Sequence, residues 1–523
     1  MKTFLLTIDA ISYGFDTHRI GLSRGLVWRL LFALILGGCL VLTLLVRYRL
    51  IFLASSDIGG IESFVIYSVQ RYLAGFPLYA SPEAAPFTIT QYSPLYYRLV
   101  AAVASACSLS PDDPIGIYRV SRGLSLLANL GYAGLLAALG SRFGLTRWAA
   151  LGVGVVAFVL LPPHAYSRPD SVCGLLSLLS LYAGTRVWQA PAGTATGWLL
   201  TGMGAAALAI ATKQSGIVLP AIWAGYYCLF RHNWAYGLTI GAATGAMALV
   251  ALLGLMPEHD PALLYANIVT GVSQGFDWAM FKVNIYDHYL KPFGLHNALG
   301  LVFSVWLLRQ PRADQRWLGW SALMLFAFAL LTSTKQGSAL NYFTDYVSLT
   351  GLVVMVWISN HDRVLRELGR SWPLLGLAVL GWAVLPNVPN FNWPFALSAS
   401  AGSEKPYQEQ QQVVRYLHQS LGMRPTDAVF VTNYNYCYLN GLLYRNCLLP
   451  QQEIVAVMYP RQTLDYSALD ARIRQGRIRF LITRPNEQTT AFAGLTTTDY
   501  TLRRRFADCD VYERTAPGLV ARR

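Results

Sequence analysis

Asp57 and Glu62 sit in the stretch Ser55-Ser56-Asp57-Ile58-Gly59-Gly60-Ile61-Glu62, directly after the first long apolar run. A carboxylate at the mouth of a membrane span is costly unless it lines an aqueous or substrate-filled cavity. Asp57 therefore has the type and place of a general base that takes a proton from an attacking hydroxyl. The competing use is a helix N-cap, because Asp followed by Glu ahead of an apolar helix is a common start signal. Glu62 would orient the site, hold a cation or complete that cap.

Further charged residues stand at the ends of later apolar runs. Asp170 follows Arg168-Pro169 at the start of an apolar helix, where the helix dipole favours a carboxylate. Capping explains it, and so does a cavity shared by two carboxylates and an arginine. Lys213 and Lys335 occur in near-matching settings, Ala211-Thr212-Lys213-Gln214-Ser215-Gly216 and Ser333-Thr334-Lys335-Gln336-Gly337-Ser338. Either lysine alone is explained by snorkelling to the interface. Two with the same neighbours suit the binding of a lipid-linked phosphate, and Arg122, near the start of another run, is placed to join them. His288, in Tyr286-Asp287-His288-Tyr289-Leu290-Lys291, is isolated and reads as structural or substrate-covering. No two of the eight histidines show an i, i+4 metal pairing, so a dedicated zinc site is not supported.

The elements that must position these residues are membrane helices. Of 523 residues, 54% are hydrophobic and 13% charged, and the mean hydropathy is +0.38. So much apolar surface, gathered into repeated runs of roughly 20 residues, fits a bilayer and excludes an ordinary soluble fold. Spans are expected near 26–53, 118–140, 148–165, 171–188, 197–212, 214–230, 235–255, 296–309, 318–333, 342–359 and 371–387, about eleven by the length rule. The segment 92–109 is short and carries Arg98 and several tyrosines, so it is expected to lie at the interface without crossing. Asp9 and Asp16 precede the first run and no small-residue cleavage site follows it, so that run is expected to stay as an anchor.

Charge orients the helices. With the N-terminus inside, the inner connections hold Arg19, Arg24 and Arg29, then Arg142 and Arg147, Arg186, Arg231, Arg309, Arg312 and Arg316, and Arg363, Arg366 and Arg370, as the positive-inside rule requires. Arg47 and Arg49 are the exceptions. The outer corners are then loop 54–117, which carries Asp57, Glu62, Gln91 and Tyr92; Ser167-Arg168-Pro169-Asp170; Lys213-Gln214; loop 256–295; and Thr334-Lys335-Gln336-Gly337. The formal charge of +14 suits anionic lipid head groups or is simply this orientation signal. The basic residues are spread along the chain and gather in no single module, which argues against nucleic-acid binding.

From about Ser400 the composition turns polar. Gln410 to Leu421 and Leu464 to Gly476 have helical spacing, whereas Ala428 to Thr432 and Ile478 to Thr483 read as buried strands. The expectation is a transmembrane catalytic domain over 1–399 and a small extracytoplasmic α/β domain over 400–523, which covers the site or binds the acceptor. Cys39, Cys107, Cys173 and Cys228 lie in apolar segments and read as small core residues. Cys437, Cys447 and Cys509 fall in the polar tail, where a Cys437–Cys447 disulfide is open to a domain in an oxidising compartment.

In order and sidedness, these features resemble the multi-spanning glycosyltransferases of the GT-C fold, the class that includes protein O-mannosyltransferases and the lipid A aminoarabinose transferase. The residues that carry the resemblance are the first-loop pair Asp57 and Glu62, the segment Tyr92-Ser93-Pro94-Leu95-Tyr96-Tyr97, the corner Arg168-Pro169-Asp170, and Lys335 through Asp345. The last of these is similar to a Gly-x-x-x-Asn-Tyr-Phe-Leu-Glu pattern in uncharacterised bacterial relatives. Thr344-Asp345 replaces Leu-Glu here, which keeps the carboxylate and shortens it.

The resemblance implies transfer of a sugar from a polyprenyl-phosphate carrier to a glycan, lipid or protein acceptor on the outer face of a bacterial cytoplasmic membrane. It maps the family's base to Asp57, with inversion following from a single displacement. A phosphate leaving group needs no strong general acid, so cations suffice, and Lys213, Lys335, Arg122 and Arg168 are the candidates. Gln91, Tyr92, Tyr96, His288, Asn341, Tyr342 and Asp345 would line the substrate pocket. Some relatives use a divalent cation (Mg, Mn or Ca) and others none; Asp57, Glu62 or Asp170 would hold it. A transporter or flippase is the rival from another class, but it should show inverted repeats and helices broken at mid-membrane. A lipid-linked glycan ligase differs only in moving a preassembled chain.

Overall fold

The structure is a computed structural model that describes residues 24–52, 62–160, 167–256, 258–335, 340–361, 405–432, 437–461, 463–487, 492 and 495–514. Asp57, Gln336, Gly337 and the expected span 371–387 lie outside the described residues. Residues Val46–Arg523 form one compact unit, and Met1–Leu45 form the other.

The protein is mostly helical and multi-spanning. Ten of the expected runs coincide with helices: Arg24–Phe52, Pro114–Arg142, Arg147–Leu160, Asp170–Gln189, Ala192–Thr212, Val218–Phe230, Trp234–Gly254, Gly294–Leu308, Ala313–Ser333 and Thr344–Asn360. Among the described residues, six helices are long and apolar enough to cross a membrane by length and composition, which supports the expected count of about eleven in part. Arg147–Leu160, Val218–Phe230 and Gly294–Leu308 have 14, 13 and 15 residues; at 1.5 Å per residue, helices of that size fall short of the roughly 30 Å hydrocarbon core. The 20-residue Asp170–Gln189 helix has the length but carries Ser171, Ser177, Ser180 and Thr185. The Pro94–Ala106 helix, with 13 residues, is also too short to cross.

The helices pack around one aromatic-rich core, where Trp223, Tyr226 and Trp317 meet. Small residues make this possible. A Cβ at Gly184 would lie 2.3 Å from the Trp317 ring, so a glycine there lets the indole sit against the helix backbone. Cys173 and Cys228 are buried as expected of core residues, whereas Cys39 and Cys107 are exposed.

Polar groups gather at the two ends of the helices. At one end Gln189 donates to the Arg142 carbonyl at 3.2 Å and to Asp314 at 2.7 Å, and Arg312 pairs with Asp314. At the other, the five corners assigned to one side of the membrane touch one another. Glu62 accepts from the Ser167 amide, Gln214 donates to the carbonyls of Gln91 and Ile268, and the Asp277 amide bonds to the Thr334 carbonyl.

The C-terminal segment forms a small mixed sheet with helices around it. Its strands are β1 (Val429–Val431), β2 (Cys447–Leu448), β3 (Phe480–Thr483), β4 (Tyr500–Arg505) and β5 (Asp510–Arg514), in the order β2-β1-β3-β5-β4. β1 runs parallel to β2 and β3, and β5 is antiparallel to β3 and β4. The expected helices and strands appear as Lys405–Gln419, Ser467–Arg474, β1 and β3. The closing β4–β5 hairpin was not expected, because β4 reads Tyr-Thr-Leu-Arg-Arg-Arg, with every residue after Tyr500 exposed. Cys447 is a free, buried thiol that donates to Asn440 at 3.2 Å, and burial pushes it up to about 12. A disulfide to Cys437 is therefore not formed.

The sheet segment shares a core with the long loop that follows the first span. Phe64, Phe87 and Ile89 pack among Phe430, Leu449, Met458 and Leu481. Gln451 accepts from the Thr88 hydroxyl and the Ile89 amide, and the Leu449 amide bonds to the Pro86 carbonyl. These bonds satisfy backbone groups that a long loop would otherwise leave without partners.

Candidate active site

Two charged constellations stand at the polar-corner end. The first joins Glu62, opening the helix Glu62–Leu73, to Arg122 in Pro114–Arg142. The guanidinium makes a two-pronged contact, Nη2 to Oε2 at 2.7 Å and Nε to Oε1 at 3.1 Å, with the side chains 1% and 0% exposed. Arg122 also donates to the Leu50 carbonyl at 2.9 Å, and Glu62 accepts from the Ser167 amide at 2.6 Å. The pair is closed to solvent. Its chemical effect is positional: one carboxylate joins the first span, the first-loop helix and the Ser167-Arg168-Pro169-Asp170 corner.

The second constellation centres on Asp170. Lys213 lies 2.7 Å from Oδ1, Asn341 donates to the same oxygen at 2.5 Å, and Arg168 Nε stands 3.4 Å from Oδ2. Arg168 Nη2 also donates to the Tyr92 hydroxyl at 3.2 Å, while the Lys213 ammonium sits 5.0 Å from the Tyr342 ring and 5.9 Å from that of Tyr92. Local structure explains the meeting. Asp170 is the first residue of its helix, Lys213 follows the last residue of Ala192–Thr212, and Asn341 lies in the short 3₁₀ turn Leu340–Phe343 before Thr344–Asn360. Three helix ends thus converge.

Arg168, Asp170, Lys213, Asn341, Tyr342 and Asp345 line a cavity of about 60 Å³. A Cβ at Gly174 would come within 3.2 Å of the Asp345 carboxylate, so the bare helix surface there keeps that carboxylate within the cavity. Burial alone would lower the Lys213 pKa, but Asp170 outweighs it and holds the ammonium more firmly charged than usual. Lys335 is different. Burial and the nearby Lys213 both lower its pKa, and among the described residues its ammonium has no carboxylate partner. Lys335 is not part of the cavity lining but stands near enough to Lys213 to feel its charge. Among the described residues the neighbourhood thus holds Arg168, Lys213 and Lys335 with Asp170 and Asp345, a set of cations that suits an incoming anion.

The other sequence-derived candidates lie elsewhere. Tyr96 is fully buried and bonds to Ser121 at 2.9 Å, within the core between Pro94–Ala106 and Pro114–Arg142. His288 is exposed in the π-helix Phe281–Leu290, where its ring contacts the Val283 carbonyl. Gln91 is buried beside the second constellation; its carbonyl accepts from Gln214, and its amide nitrogen lacks a partner among the described residues. Asn129, Tyr132, Cys173, Ser177 and Ser215 also line the cavity and were not singled out in the sequence. The available signal was helical spacing: Asp170, Gly174 and Ser177 fall on one face of an apolar helix, as do Asn129 and Tyr132.

No three His, Cys, Asp or Glu side chains among the described residues are grouped to hold a metal ion. Both oxygens of Glu62 are engaged by Arg122, with Ser167 on one of them, and Asp170 Oδ1 serves Lys213 and Asn341. Asp170 Oδ2, by contrast, has no hydrogen-bond partner among the described residues and stands 3.4 Å from Arg168 Nε.

No family model matches the chain, and no curated protein sequence does. Solved structures do. The crystal structure of ArnT from Cupriavidus metallidurans bound to undecaprenyl phosphate is similar over 94% of this chain and 98% of its own, at a TM-score of 0.60 and 15% identity. The apo oligosaccharyltransferase of Archaeoglobus fulgidus is similar over 86% of this chain and 69% of its own, at a TM-score of 0.59 and 10% identity. The archaeal oligosaccharyltransferase AglB from Archaeoglobus fulgidus, in complex with an inhibitory peptide and a dolichol-phosphate, gives 0.55 and 10%. The chain therefore has the GT-C fold of multi-spanning membrane proteins. Within that fold it is similar along nearly its whole length to ArnT, the lipid A aminoarabinose transferase.

Proposed function

We propose that the protein is a glycosyltransferase that moves a sugar from a polyprenyl-phosphate-linked donor to a hydroxyl acceptor on the outer face of the cytoplasmic membrane. The observation that carries this reading is the cavity where Arg168 and Lys213 meet Asp170, with Lys335 close to Lys213 and without a carboxylate partner among the described residues. Its fold neighbours add support, since one structure is bound to undecaprenyl phosphate and another is in complex with a dolichol-phosphate.

In this reading Asp57 takes the proton from the acceptor hydroxyl as its oxygen attacks the sugar carbon. The carbon–oxygen bond to the phosphate breaks in the same displacement, which inverts that carbon. The phosphate leaves as an anion, and Arg168, Lys213 and Lys335 stabilise the developing charge; such a contribution is typically worth on the order of 10²–10³-fold in rate. Asp170 keeps Lys213 charged and aimed. Glu62 and Arg122 hold the corner that presents Arg168. The small sheet domain, packed on the first outer loop, would cover the site or hold the glycan, lipid or protein acceptor. A divalent cation, if used, would be held through Asp57.

The test is transfer from radiolabelled polyprenyl-phosphate sugars in native membranes, wild type against Asp57→Asn. Transfer from one donor, lost in the variant while donor binding persists, is the expected result. Unchanged turnover would remove Asp57 as the base, and no transfer from any donor would favour a flippase. A donor carrying a preassembled chain, used in place of a single sugar, would identify a glycan ligase.

A further inference from the structure

A second opening shares no residue with the charged cavity. It is a groove of about 660 Å³ between the helices Glu62–Leu73 and Pro94–Ala106 and the turn at Glu258. Its walls are mixed: Tyr72, Phe76 and Ala102 supply apolar surface, and Arg98 and Glu258 bring one charge each. The two charges do not pair with each other. Arg98 Nη1 donates to the Leu255 carbonyl at 3.1 Å, leaving most of its guanidinium donors uncommitted among the described residues. Glu258 Oε1 accepts from the Leu78 amide at 2.5 Å, while Oε2 is buried and has no partner among the described residues. A carboxylate oxygen in that state is expensive unless a donor arrives, and an unspent guanidinium beside it calls for an acceptor.

Opposite charges held apart in one groove match a zwitterion better than a simple ion. The Pro94–Ala106 helix is too short to cross a bilayer and belongs to a multi-spanning chain, which puts the groove where lipid head groups are found. We propose that this groove is a binding site for the head group of a zwitterionic phospholipid with a primary amine, the phosphoethanolamine class. Its ammonium donates to Glu258 Oε2, its phosphate accepts from Arg98, and the acyl chains leave along the apolar wall. The inference stands on the groove and on membrane residence, not on glycosyl transfer.

The experiment is native mass spectrometry of the whole protein released from nanodiscs of equal parts phosphatidylethanolamine, phosphatidylcholine and phosphatidylglycerol. The wild type should retain phosphatidylethanolamine roughly tenfold over each of the other two, the worth of one charge-assisted hydrogen bond. Phosphatidylcholine keeps the charge but has no N–H to donate, and phosphatidylglycerol keeps only the phosphate. Glu258→Gln preserves the acceptor for Leu78, so the fold should persist while the preference for phosphatidylethanolamine over phosphatidylglycerol disappears. Arg98→Gln should lower retention of all three. Equal retention of the three lipids, a preference for phosphatidylglycerol, or a preference that survives Glu258→Gln in a protein of unchanged thermal stability would overturn the proposal.

Discussion

The Glu62–Arg122 pair and the Asp170 constellation use the same residue types at the same end of the helices, yet they are built for different ends. In the first, one carboxylate meets one guanidinium by two prongs and both side chains are sealed from solvent. In the second, Asp170 is shared by Lys213, Arg168 and Asn341, its side chain keeps 20% exposure beside a cavity, and nearby Lys335 adds a cation without a carboxylate partner among the described residues. Access separates a strut from a site; residue identity does not.

Six variants would break or sharpen that contrast. Glu62→Ala strands a buried guanidinium and should cost about 3–5 kcal/mol, seen as a large fall in the unfolding temperature in detergent. The double variant Glu62→Leu, Arg122→Met should recover most of that loss; an active double variant would establish the pair as purely structural. Lys213→Met should instead lower transfer on the order of 10²-fold, with a far smaller change in unfolding, because Arg168 and Asn341 still hold Asp170.

Lys335→Ala should weaken donor binding about tenfold, read as a raised apparent KM, and leave stability unchanged because the ammonium has no carboxylate to lose. The same lysine sets a pH dependence. Burial and Lys213 lower its pKa, so on raising the pH its charge is lost earlier than an ordinary lysine would lose it. Donor affinity should fall along that limb, and Lys335→Arg should move the fall to higher pH. A profile unaltered by the arginine would detach Lys335 from the phosphate. The smallest effect belongs to Tyr92→Phe, which removes the acceptor of the 3.2 Å bond from Arg168 and should cost about 1 kcal/mol in transition-state binding, a factor of about five.

Much of this was legible in the chain. Apolar runs marked the helices to within a few residues, because a bilayer imposes length and composition on anything that crosses it. The polar corners stood out because charge at a span's end is rare, and the Lys213 and Lys335 settings drew notice by echoing each other. The lengths of the shorter helices did not come through. Gln214–Ile217 reads as part of an apolar run but winds as a 3₁₀ turn ahead of Val218–Phe230, which leaves that helix 13 residues long.

The partners of individual charges were out of reach. Glu62 reads in the sequence as a residue that orients the site, holds a cation or completes a cap, and Arg122 as a phosphate ligand, and nothing local reveals that each would meet the other; a buried pair is set by where two helices pack. Gly174 and Ser177 look like ordinary small residues in an apolar helix until Asp345 and Lys213 are brought against them. Composition and periodicity determined that this chain spans a membrane and carries its unusual polar residues at one end, since those properties follow from local cost in lipid. Tertiary structure decided which carboxylate is spent as a strut and which cation keeps its charge for a ligand, because neutralisation depends on distances that only the packed helices set.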